Sequence, residues 1–166
     1  LLAMNSLTMQ ENLMQKLLLY IIENNPDLLF RLEEEEAVSN YLLDKVTSVS
    51  SIINDAARPD YLKEETCMSV MTQSLRPSKF NYICRVLEEE FEATYWKLKR
   101  SGTLKYEAVN LVMYCQPLFE AVHFSEANEE NRLLYYAVAG AVVEYFDKDV
   151  SEREVLSNGV QQPTEA

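Results

Sequence analysis

The sequence predicts an all-α fold, a single-domain antiparallel helical bundle of six to seven helices, and three observations carry that prediction. Only three glycines and five prolines occur among 166 residues, too few for the turns that a β architecture needs. Leu, Glu, Ala and Met, all good helix formers, are plentiful. Apolar residues recur at the spacing of one helix face along most of the chain. The length suits one domain with a continuous core that needs no disulfide or metal staple. An apolar fraction of 48% with 25% charged residues belongs to a folded protein rather than a disordered one.

Thr8 and Glu11 form a capping-box pattern, and Leu13, Leu17, Tyr20 and Ile21 follow at helical spacing until Asn24-Asn25-Pro26 ends the first helix. A short apolar segment, Leu28 to Leu32, comes next. Glu33 to Glu36 then sit where a helix N-terminus favours negative charge, ahead of a second helix with the stripe Val38, Leu42, Val46, Val49 and Ile53. Pro59 suits the first turn of a third helix carrying Leu62, Met68 and Met71, since its missing N–H needs no partner there.

Ser78 is the expected N-cap of the clearest amphipathic helix. Phe80, Ile83, Cys84, Leu87, Phe91, Tyr95 and Leu98 share one face, and Arg85, Glu88, Glu89, Glu92 and Lys99 the other. Gly102 stops it, and Thr103 caps a fifth helix through Val109 and Val112 that Pro117 breaks. A helical turn to Val122 follows. Ser125 opens a long last helix, about Ala127 to Phe146, apolar almost all round between Leu133 and Val143 and therefore expected to be buried, with Ala139-Gly140-Ala141 allowing a close helix neighbour. Leu1 to Ala3 precede Met4, the expected natural start, so the helical domain is counted over 4–150. Ser151 and Glu154 cap one more short helix within 151–166, which ends as a flexible tail.

A formal charge of -12 sets the chain against binding phosphate backbones directly. Cys67, Cys84 and Cys115 are odd in number, widely spaced and embedded in apolar segments, the pattern of reduced core cysteines and a cytoplasmic location. Leu133 to Val143 is too short to span a membrane, and no basic region followed by an apolar run marks the N-terminus for export.

Glu120 and His123 have the Glu-x-x-His spacing with which helical bundles hold di-iron or di-manganese centres, but such a site wants two histidines and His123 is alone. The expectation is a locally bonded helix-end histidine, with no metal and no cofactor. No Gly-x-Ser-x-Gly elbow and no Gly-rich phosphate loop occurs. The acidic clusters Glu33 to Glu36, Glu88 to Glu90, and Glu126 with Glu129 and Glu130 read as solvated helix faces, with imitation of a nucleic acid as the alternative. Tyr95, Trp96, Lys99, Arg100 and Tyr106, around the Gly102 turn, are the candidate surface for a protein partner.

Three blocks have a familiar order: Leu17-Leu18-Leu19-Tyr20-Ile21-Ile22-Glu23-Asn24-Asn25-Pro26; Leu75-Arg76-Pro77-Ser78-Lys79-Phe80-Asn81-Tyr82-Ile83 with Val86-Leu87 and Glu90-Phe91; and Asn131 to Phe146 with its central Gly140. Together they resemble an uncharacterised all-helical family, a domain of unknown function, found in Bacteroidetes conjugative transposons and chromosomes. In that family a Leu-rich first helix ends at an Asn/His-Pro step, and a Leu-His-Phe-Ser-Lys-Tyr-Asp phrase opens a Val-Leu-x-x-Glu-Phe helix. Here Arg76-Pro77 replaces His-Phe and Ser74 stands where a glycine is common, so a role resting on that histidine does not transfer. The resemblance implies a mobile-element setting and brings no catalytic residues with it.

The leading functional expectation is a non-enzymatic protein–protein interaction or accessory module with an unknown protein partner and no membrane contact. An acidic DNA mimic that inhibits a nucleic-acid-binding protein is the second, and an enzyme centred on His123 the third. Homo-oligomerisation follows if one helix face stays apolar after packing.

Overall fold

The structure, a computed structural model, describes residues 7–158, with side chains as far as Glu152. Those residues are all-α: ten α-helices and one 3-10 turn, with no strand among them. They fall into two compact units, Leu1–Asn81 and Tyr82–Ala166.

In the first unit α1 (Met9–Asn24) starts at the expected capping box: the Thr8 hydroxyl accepts from the Glu11 amide, and the Glu11 carboxylate accepts from the Thr8 amide. The Leu28 to Leu32 segment is itself a helix, α2 (Pro26–Glu34). Asn25 breaks the run because a residue before proline is barred from helical dihedrals. α3 (Val38–Ser48) and α4 (Ser50–Ile53) divide the expected second helix at Val49, and α5 (Asp60–Thr72) passes into a 3-10 turn at Gln73–Leu75. α1 packs on α2, α3 and α5. Leu13, Leu17 and Ile21 meet Leu28, Leu32, Leu42, Val46, Val49, Cys67 and Met71 in one buried cluster. Leu62, expected in that core, is exposed; Cys67 takes the inward position on α5.

Glu33 to Glu36 do not open a helix. Glu33 and Glu34 close α2 and Glu36 stands at φ 54, with Ala37 N–H reaching back to Leu32 O at 2.8 Å. This is a Schellman turn whose left-handed position, usually glycine, holds a glutamate. The unit is closed by a polar clasp. The Asn24 carbonyl accepts from the Ser78 hydroxyl, its side-chain oxygen accepts from Asn81 Nδ2 at 3.0 Å, and Asn25 Nδ2 donates to Leu75 O at 3.3 Å.

Ser78 caps α6 (Lys79–Glu90) as expected, its hydroxyl accepting from Asn81 N–H at 2.9 Å. The long amphipathic helix does not run on: Phe91, at φ -133 and ψ 47, separates α6 from α7 (Glu92–Ser101), and no proline accounts for the break. Gly102, at φ 74, ends α7. Thr103 precedes α8 (Leu104–Tyr114) without a side-chain cap, because its hydroxyl pairs with Ser101 Oγ at 2.7 Å. Pro117 opens α9 (Gln116–Ala121). Ser125 does not start the last helix; Asn131 Oδ1 accepts from the amides of Leu133 and Leu134 and caps α10 (Arg132–Asn158). α10 continues through 151–158 instead of yielding a separate helix, and Ser151 Oγ bonds back to Asp147 O. The expected tail from Gly159 to Ala166 lies outside the described residues.

Candidate interaction surface

In the second unit α8 packs on α7, α9 and α10, and α10 on α9. Leu134, Val138 and Val142, at i, i+4 and i+8, form the buried stripe of α10. The expectation that α10 is buried all round is therefore corrected. Its neighbours cover one side only, and Leu133 (82% exposed), Tyr136 (57%), Val143 (46%) and Val150 (53%) face solvent. Nothing stands within 4 Å of where a Cβ on Gly140 would lie. A groove of about 450 Å³ runs there between Tyr114, Pro117 and Leu118 on one wall and Tyr136, Ala137 and Ala141 on the other. Sequence reasoning missed this face, although the 3-4 spacing of Leu133, Tyr136, Gly140 and Val143 was there to be read.

The predicted surface at the Gly102 turn is only partly assembled. Tyr95 is buried, which corrects its placement on an exposed patch, and its ring meets Trp96 edge-on at 5.4 Å. The Lys99 ammonium lies 5.0 Å from the Trp96 ring centre and 5.6 Å from that of Tyr95, within cation–π range. Trp96 and Arg100 share a shallow groove with Glu92, Ala93, Lys97 and Ser101. Tyr106, on α8, is well exposed and does not line it.

Arg85, expected on the polar face of its helix, is half-buried. Its guanidinium sits 5.1 Å from the Tyr82 ring centre and 5.9 Å from that of Tyr135, and its Nη1 donates to Glu130 at 3.0 Å. The Tyr135 hydroxyl, 2.6 Å from Glu89 and 3.0 Å from Glu90, shares one proton between two carboxylates. Its pKa is pushed well up, first by burial and then by those carboxylates. Three of the acidic side chains weighed as phosphate imitators, Glu89, Glu90 and Glu130, are thus engaged within the unit.

Glu120 is exposed and accepts from Gln116 Nε2 at 2.8 Å. His123, also exposed, stands at φ 50 just beyond α9, with Phe124 N–H bonded to Phe119 O at 3.0 Å. Its backbone makes the left-handed stop that Gly102 makes for α7. Among the described residues no three His, Cys, Asp or Glu side chains are grouped to hold a metal ion, and no helix is long and apolar enough to cross a membrane. All three cysteines are free, and burial pushes the thiols of Cys84 and Cys115 up to about 11, helped at Cys84 by Glu88. Both stay protonated at neutral pH and lack the thiolate that nucleophilic chemistry needs.

Compared with protein-family models, curated proteins and solved structures, the chain matches none.

Proposed function

We propose that the chain is a non-enzymatic protein–protein interaction or accessory module, and that it works through the solvent face of α10. The observation that carries this reading is the row of exposed Leu133, Tyr136, Val143 and Val150 along one face of α10, beside a bare Gly140. Exposed apolar surface costs about 25 cal/mol per Å² relative to burial, so a face of this kind favours a partner that covers it. Trp96 and Arg100 offer a second exposed patch on the same unit, with Tyr106 exposed apart from their groove. The proposal includes a cytoplasmic setting, in keeping with three free cysteines, and a mobile-element context, supported by the three resembling sequence blocks. The net charge of -12 weighs against direct binding to nucleic acid.

A photo-cross-linking amino acid at Val143, introduced in the native host, tests the reading. A discrete adduct is expected there and not from the same group at exposed Gln10. Equal labelling from both positions would defeat it.

A further inference from the structure

We infer that the occupant of the α10 face is a second copy of this chain, docked antiparallel, with Leu133 against Val150, Tyr136 against Asp147 and Gly140 against Val143. The inference rests on the interaction reading above and specifies its partner.

The spacing of the exposed side chains argues for a helix as the occupant. Leu133, Tyr136, Gly140, Val143, Asp147 and Val150 follow one another at intervals of 3, 4, 3, 4 and 3, the a and d positions of a heptad. Their neighbours Leu134, Val138 and Val142 are spaced by four and already spent on the unit's own core. Over these 18 residues the 3-4 spacing keeps all six positions on one side of α10, the kind of seam that a second helix covers.

Side-chain size and charge then choose the direction. In a parallel pair each layer meets its own copy, which sets glycine against glycine, leaving a void, and Asp147 against Asp147, a like-charge contact. In an antiparallel pair a layers meet d layers. One register satisfies all three: residue numbers across each layer add to 283, so Val143 fills the notch over Gly140 and Leu133 covers Val150. The hydroxyl of Tyr136 then faces the partner's carboxylate. The arrangement is self-complementary, as a two-fold interface requires. Ala137 and Ala141 keep the flank low, and the wall of Pro117 and Leu118 extends the covered surface beyond the helix itself.

The full-length chain should sediment as a monomer at low and a dimer at high micromolar concentration. Val143→Glu, at a position exposed in the single unit, should weaken association by roughly tenfold or more while leaving the thermal unfolding of the helices unchanged; Leu133→Glu, at the most exposed position, repeats the test independently. Direction is read by disulfide formation. Leu133→Cys mixed with Val150→Cys should cross-link, whereas either variant alone should not, since about 26 Å of helix then separates like residues. The wild type under the same oxidant controls for its own cysteines. Self-cross-linking of each variant alone would establish a parallel pair and overturn the inference. So would a chain that remains monomeric and gives no cross-link in the mixture; if Val143 nevertheless labels a different protein in the host, the interaction reading survives and only the self-pairing falls.

Discussion

Two glycines in the second unit should respond to the same substitution with opposite signs. Gly102 and Gly140 both have open space where a Cβ would go, so neither Ala variant meets a steric obstacle. What differs is the backbone. At Gly102, φ is 74, and an L-residue there costs roughly 1–2 kcal/mol, offset in part by the lower entropy of the unfolded alanine chain, for a net loss of about 1 kcal/mol. Gly140 lies inside α10, where alanine is better than glycine by roughly 0.8–1 kcal/mol. The two variants should therefore differ by about 2 kcal/mol, with urea midpoints roughly 1 M apart for a slope near 2 kcal/mol/M. Far-UV circular dichroism during urea titration, at a concentration where the chain is monomeric, reads both. A loss of stability in Gly140→Ala would refute the reasoning, because it would mean that something within the single chain packs against that face.

Two further outcomes follow from the same structure. Since His123 supplies a left-handed helix stop, His123→Gly should raise stability by about 0.5–1 kcal/mol in the same titration, and a loss of that size would show that the imidazole makes contacts its exposure does not suggest. Burial raises the Asp27 carboxyl pKa above its ordinary 3.8, against the lowering influence of helix amides, Lys79 and Arg31. The folded state then binds that proton more tightly than the unfolded chain, so its stabilising contribution is full below pH 3.8 and lost as pH rises through the folded value. Asp27→Asn should accordingly be more stable than wild type at neutral pH, with the gap closing in acid; a gap that ignores pH would refute this.

The features legible in the sequence are those whose cause is local. Thr8 with Glu11, Ser78 and Gly102 each act within one turn, and the structure has each of them where the pattern puts it. Burial is not local, and there the reading fell short. Leu133 and Leu134 are adjacent and chemically identical, yet one is 82% exposed and the other 3%. In α10 both sides of the helix are apolar, so composition could not say which side its neighbours would cover. Tyr95 and Trp96 repeat the lesson at the candidate surface: proximity to a basic turn put both on it, and packing of α7 on α8 turned Tyr95 inward. The break at Phe91 has no glycine or proline beside it, so helical periodicity ran straight through.

The polar clasp of the first unit also sets an order of events at the ribosome. Asn24 and Asn25 are made early, but the groups that meet them, the Leu75 carbonyl and the Ser78 and Asn81 side chains, are among the last of that unit to be synthesised. At roughly 5–20 residues per second, the end of α1 waits several seconds for its partners. Until then the carbonyl and side-chain oxygen of Asn24 and the side-chain amide of Asn25 have only water to pair with, while Asn24 Nδ2 is already held by Tyr20 O within α1, and the nascent α1 to α5 assembly stays open at one end. Emergence of residue 81 is what allows it to shut.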